Sequence, residues 1–354
     1  MADGTKIEWT DATWNVINGC SVVSPGCKHC YAMRLAGTRL RNVESREGLT
    51  VDTKAGPVWN GTTRFNDKVL LDPIRWKRPR RIFVCAHGDL FHDSVPDAWI
   101  DHVFAIMALA PQHQFQVLTK RAWRMRQYLS DPKVVRRICN LAALFRYACT
   151  PDPDRRPRAF QKLMRQSAQL TAWTREGGGA AKMFARQEPD RDYPSWVPWP
   201  LPNVWLGVSA ENQHWLMDRA PHLVETPAAV RFISYEPALD AIDVEPFVLP
   251  VRQWANMWAN NYPYHYPKHR VDWIICGGEN GPRPMHPDWA RSVRDQCAQG
   301  GVAFFFKQWG SYLPAGQVDA NGRLWNPACG SSLRAIKSLT GRLLDGVTHD
   351  GMPT

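Results

Sequence analysis

The chain has 354 residues, 44% of them hydrophobic, and a net charge of +11. That length suits two average domains or one large α/β barrel with insertions, and the composition allows a sizeable core. No run approaches the roughly 18 apolar residues of a membrane span, and the opening Met1-Ala2-Asp3-Gly4-Thr5-Lys6 has no apolar signal-peptide core. A soluble, cytoplasmic protein without membrane association is therefore expected. Nine cysteines, three of them clustered, favour reduced thiols and metal over a disulfide framework.

The charge is unevenly placed. Between Arg121 and Arg191 there are 16 Lys or Arg against 6 Asp or Glu, which is +10 of the +11. A local basic segment is the electrostatic footprint expected for a nucleic-acid partner. It is also the composition of a solvated helical insertion.

In chain order, Trp14-Asn15-Val16-Ile17 reads as a short strand leading into the stretch Asn18 to Ala32. That stretch carries Cys20, Cys27 and Cys30 at spacing C-x6-C-x2-C, in a loop marked by Gly19, Pro25 and Gly26. A helix follows over 32–40. Residues 41–80 are polar and glycine-punctuated, and read as irregular cover for the cysteine loop. Short apolar strands then alternate with helices: strand 81–85, helix 96–110, strand 115–118, helix 122–129. The basic region to about residue 192 interrupts, with helices expected at 136–149 and 159–173. The alternation resumes with strand 204–208, helix 214–223, strand 230–233, an aromatic-rich insertion at 249–270, strand 273–276, helix 287–299 and strand 302–306. Such alternation predicts an α/β fold, a full or partial (β/α) barrel of parallel strands with a helical basic insertion. A doubly wound open sheet is the alternative. The organisation expected is 1–120 for the first part of the barrel with the cysteine loop, 121–192 for the insertion, and 193–354 for the rest.

Polar residues follow each strand: His87, Asp89 and His92; Lys120 and Arg121; Ser209, Glu211 and Asn212; Ser234 and Glu236; Gly277, Gly278, Glu279 and Asn280; Lys307 and Gln308. In a parallel barrel these ends open on one face, where active sites are built. Ser209, Glu211 and Asp89 equally suit helix caps, and the two glycines a tight turn.

Three cysteines are too few for a four-thiolate site. With His29 or a distant histidine they suit a zinc site. They also suit a [4Fe–4S] cluster with one open iron, able to chelate the amino and carboxylate groups of S-adenosylmethionine. Three function classes follow: a radical enzyme of this type, a zinc-stabilised nucleic-acid-binding protein without catalysis, and a metal-dependent hydrolase or nuclease using His87, Asp89, His92 and Glu236. The basic segment 121–191 offers phosphate contacts, and Trp254, Trp258, Tyr262, Tyr264 and Tyr266 offer stacking or loop packing.

The trio on a (β/α) barrel resembles the radical S-adenosylmethionine enzymes, whose usual spacing is C-x3-C-x2-C, and Cys30-Tyr31 is similar to the spore photoproduct lyase branch. A broader likeness runs through Lys6 to Asn15, Ser24-Pro25-Gly26-Cys27, Cys30-Tyr31-Ala32, Asp89-Leu90-Phe91-His92, Leu118-Thr119-Lys120-Arg121, Asn203 to Ser209, Arg231-Phe232-Ile233-Ser234 with Glu236-Pro237, Gly277-Gly278-Glu279, Phe305 to Gly310 and Gly341 to Gly346. These resemble the phage-associated three-cysteine-motif family, for which no reaction is established. The radical-enzyme resemblance implies Cys20, Cys27 and Cys30 as cluster ligands and an electron donor as partner. It implies Gly277, Gly278 and Glu279 near the cofactor's amino group, with Ser209, Glu211 and Glu236 as alternative contacts.

Overall fold

The computed structural model describes residues 2–149, 197–250 and 269–353. The helix expected at 159–173 and nearly all of the aromatic insertion lie outside the described residues.

Seven strands form one sheet in sequence order: β1 (Ala12–Trp14), β2 (Arg81–Val84), β3 (Gln114–Thr119), β4 (Val204–Ser209), β5 (Val230–Tyr235), β6 (Trp273–Gly277) and β7 (Ala303–Gln308). Every neighbouring pair is parallel. β1 and β7 do not pair with each other, so the barrel is partial. Its two edges are covered by antiparallel pieces. Ala2–Asp3 pairs with β1. At the other edge Phe305 bridges Asp350, with the Phe306 N–H donating to His349 O at 2.9 Å and the Gly351 N–H to Phe304 O at 3.0 Å. Covered edges remove a template for intermolecular strand pairing.

The strands are almost wholly apolar because both faces are buried. Alternation sorts the side chains. Ile233, Tyr235, Ile274, Cys276, Phe304 and Phe306 join the outer core beneath the helices. Phe232, Trp273, Ile275 and Phe305 point inward, with Phe83 and Trp205. Trp9, just before β1, plugs this inner space. Its ring lies 4.8 Å from Phe83, 6.4 Å from Phe232 and 6.1 Å from Trp273. One residue touching β2, β5 and β6 requires the sheet to curl. Gly207 permits the curl, since a Cβ there would lie 2.4 Å from the Phe232 ring.

Helices α1 (Tyr31–Gly37), α2 (Asp97–Leu109), α3 (Ala122–Leu129), α4 (Pro132–Cys149), α5 (Gln213–Glu225) and α6 (Pro287–Gly300) flank the sheet. Among the described residues, none is long and apolar enough to cross a membrane. Asn212, rather than Ser209 or Glu211, caps α5 through Oδ1 and the Trp215 N–H at 3.1 Å. Pro287 opens α6, and Gly301 ends it at φ +64°.

Three expectations need correction. The first strand lies earlier, at Ala12–Trp14; Ile17–Asn18 instead pairs antiparallel with Arg64–Phe65. Residues 41–80 contain a hairpin, Thr50–Thr53 with Gly56–Trp59. Its Trp59 packs with Leu49 against Ala32, Met33 and Ala36 of α1, so the cover is built rather than irregular. The helix expected from 136 begins at Pro132 and buries Val134, Ile138 and Phe145 in the main core. The start of the basic segment is thus part of the α/β body.

Candidate functional site

The cysteine loop sits across the C-terminal ends of the strands. Glycine at two positions lets it approach. Gly19 has φ +94°, and a Cβ there would lie 2.1 Å from Thr62 O; one on Gly88 would lie 2.8 Å from Ile17 O. The two glycines form a parallel bridge. The loop then closes through a helical turn at Pro25–Cys27, and Cys30 stands at the entrance to α1.

Three side chains tie this loop to the sheet. Glu211 is fully buried and accepts from the Gly26 N–H at 3.0 Å, Lys120 Nζ at 3.0 Å and Arg219 Nη1 at 3.1 Å. Burial alone pushes its carboxyl up, but Lys120, the Ser24 hydroxyl, Arg219 and the Gly26 N–H outweigh it and hold it below its ordinary value. Arg283 bonds Glu279 Oε2 through Nε at 3.0 Å and reaches the loop carbonyl of Pro25 at 3.0 Å. Arg121 donates to Cys20 Sγ at 3.3 Å, Ser21 Oγ at 2.7 Å and Asp89 Oδ2 at 3.0 Å. Asp89 also accepts from the Phe91 N–H, the Thr119 hydroxyl and the Lys120 N–H. Every tether comes from a loop that leaves a strand end.

Together they frame a cavity of about 270 Å³. Cys20, Cys27 and Cys30 all line it, with Ser209, Glu236, Gly278 and Glu279. Glu236 pairs with Lys307 at 3.0 Å, and a Cβ on Gly277 would lie 2.6 Å from Glu236 Oε1. Of the expected cofactor contacts, Glu211 and Gly277 do not line the cavity. Glu211 clamps the loop and Gly277 makes room for Glu236. Both follow strands just as Glu236 does, so sequence position alone did not separate them.

Cys85, a cysteine outside the clustered trio, also lines the cavity. It follows β2 directly, with φ +58°. A non-glycine residue there costs of order 1–3 kcal/mol, and such strain gathers at functional sites. The signal was its place directly after a strand. His87 and His92 are not in the cavity wall. The His92 ring bonds Ser21 Oγ at 2.9 Å and accepts from the Ser94 N–H at 3.1 Å. His87 lies 3.4 Å from an Arg46 nitrogen, and burial, then Arg46, pushes its imidazole down to about 4. Of the four residues named for a hydrolase, Asp89 and Glu236 line the cavity, whereas His87 and His92 do not; Asp89 is engaged by four donors.

Three soft thiols on one cavity fit the donor set of an iron–sulfur cluster. Among the described residues, no three His, Cys, Asp or Glu side chains group closely enough to hold a single metal ion. Burial pushes the Cys20 thiol up to about 12, with Asp89 adding and Arg121 opposing, and raises Cys30 as well. Binding of a metal or cluster here must therefore displace thiol protons.

A curled, open sheet of seven parallel strands, with a tethered three-cysteine loop over its C-terminal mouth, defines an α/β half-barrel whose site lies where such folds build theirs. The chain belongs to the family described as a protein of unknown function (DUF5131), whose model matches residues 4–353. No curated protein and no solved structure matches it.

Proposed function

We propose that this protein is a radical S-adenosylmethionine-type iron–sulfur enzyme acting on a nucleotide or nucleic acid. The observation that carries the reading is the convergence of Cys20, Cys27 and Cys30 on one cavity at the strand ends. In this reading the three thiolates hold a [4Fe–4S] cluster. Such a group, with S-adenosylmethionine bound, supplies reductive cleavage of the sulfonium and hydrogen abstraction from substrate. Arg121 holds Cys20 Sγ in place and offsets negative charge beside it. Glu211 and Arg283 fix the loop so that the ligands do not drift. Ser209, Glu236, Gly278 and Glu279 would hold the polar groups of S-adenosylmethionine, while the hairpin carrying Trp59 limits water. An external electron donor is required.

The test is anaerobic reconstitution with iron and sulfide, followed by assay for 5′-deoxyadenosine. The reading expects product that disappears in Cys27→Ala. Stoichiometric zinc with no iron, and no product, overturns it in favour of a zinc-stabilised protein. For the nucleic-acid part, a deletion of residues 150–196 spares α4. DNA binding that falls steeply with salt and weakens on this deletion supports the partner; unchanged binding removes it.

A further inference from the structure

We infer that the floor of the cavity is a binding site for a flat nitrogen heterocycle, a purine or pyrimidine ring, read by the Trp9 indole N–H and the Gln308 side-chain carbonyl. Both residues line the cavity, and they are only 2% and 4% exposed. Trp9 Nε1 and Gln308 Oε1 are buried with no hydrogen-bond partner among the described residues. A buried donor or acceptor left unmet is destabilising, and the exceptions in a native fold call for a ligand, a water or a functional role. Other unpaired atoms, such as Asn18 Oδ1 and Gln116 Oε1, belong to residues outside the cavity wall.

The surroundings narrow the ligand. Ile7, Phe83 and Leu118 share the wall, so the faces available to the ligand there are apolar and aromatic. One donor and one acceptor set into such a wall match a ring whose edge carries both an acceptor nitrogen or carbonyl and an N–H. Nucleobases have this edge, and their faces pack against aromatic side chains. Arg121 Nε is a third unpaired atom in the wall, a cationic donor suited to an anionic substituent of the ligand. At about 270 Å³ the cavity is at the small end of ligand sites, enough for one base and not for a stacked run of them.

The inference does not depend on a cluster, so its failure is separable from that of the proposed reaction. The experiment is calorimetric titration of the purified full chain with adenosine, guanosine, cytidine and uridine. At least one is expected to bind. Trp9→Phe keeps the ring and loses the N–H; Gln308→Leu keeps the shape and loses the carbonyl. Each is expected to weaken binding about tenfold or more, while Arg41→Ala, an exposed control, leaves it unchanged. Analogues of the best ligand with single ring nitrogens replaced by carbon serve on the wild-type chain even if a variant misfolds; at least one must bind about tenfold more weakly. No nucleoside binding, or equal binding by every analogue, overturns the inference. Repeating the titration with S-adenosylmethionine on the iron-loaded protein identifies the source of the ring. Competition assigns the floor to the cofactor's adenine, and simultaneous binding assigns it to a substrate base; either outcome supports the site.

Discussion

The interior of the half-barrel has two ends built on opposite principles. Below, Trp9, Trp205, Phe232, Trp273 and Phe305 pack ring against ring, and the main polar anchor is Trp273 Nε1 donating to Gly351 O at 2.8 Å. Above, Glu211, Arg219, Lys120, Asp89 and Arg121 are buried or nearly so and held in ion pairs. Apolar packing would stabilise the upper end at less desolvation cost. Polar tethers there serve a different purpose: they set the position of one loop. Both ends contribute stability, and the upper end in addition fixes the position of the cysteine loop.

Variants that strike one end and spare the other sharpen this contrast. Glu211→Ala leaves Arg219 and Lys120 without their shared carboxylate, and is expected to cost about 3–5 kcal/mol. Urea denaturation measures the loss, and, if the loop holds the proposed cluster, metal retained per folded chain should fall with it. Trp273→Ala is expected to cost a similar 3–5 kcal/mol through its cavity, yet metal per folded chain should stay unchanged. If both variants lose metal equally, the division between the two ends fails. Arg283→Ala removes the link from Glu279 to Pro25 and leaves a buried carboxylate unpaired, at about 1–3 kcal/mol; its larger effect should again be on metal retention.

The smallest expected effect lies far from the mouth, in the tail that covers β7. Hydrogen bonds from Arg291 hold Asp345 well below the usual carboxylate range against a small cost of burial, with Gln317 and Arg294 adding. A carboxylate with a depressed folded-state pKa contributes its full stability above its unfolded value of about 3.9 and loses it as pH falls below that. At 34% side-chain exposure the contribution is under about 1 kcal/mol. Asp345→Asn should flatten the acid limb of stability against pH and leave metal content untouched. An unchanged acid limb would remove this staple from the account.

Much of the frame was legible because the strands are short, apolar and regularly spaced, and because polar residues follow each of them. The cysteine trio and its place at the strand ends were equally readable from Cys20, Cys27 and Cys30. What the sequence did not separate was the work of similar residues. Glu211 and Glu236 both follow strands, yet only the fold brings Gly26 against one and opens the cavity to the other. The hairpin at Thr50–Trp59 was hidden because its first strand is exposed and mostly polar and its second begins with Gly56-Pro57, which reads as a turn. Cys85 and Trp9 were missed for another reason. Their roles depend on the curl of the sheet, which no local pattern encodes.

The most direct test of the central claim is the metal content of anaerobically purified protein before and after iron–sulfide reconstitution, beside Cys27→Ala. A cluster held by the tethered loop predicts about four irons and four sulfides per chain, a brown colour lost in air, and neither in the variant. Stoichiometric zinc resistant to exchange, with no iron taken up, would contradict it.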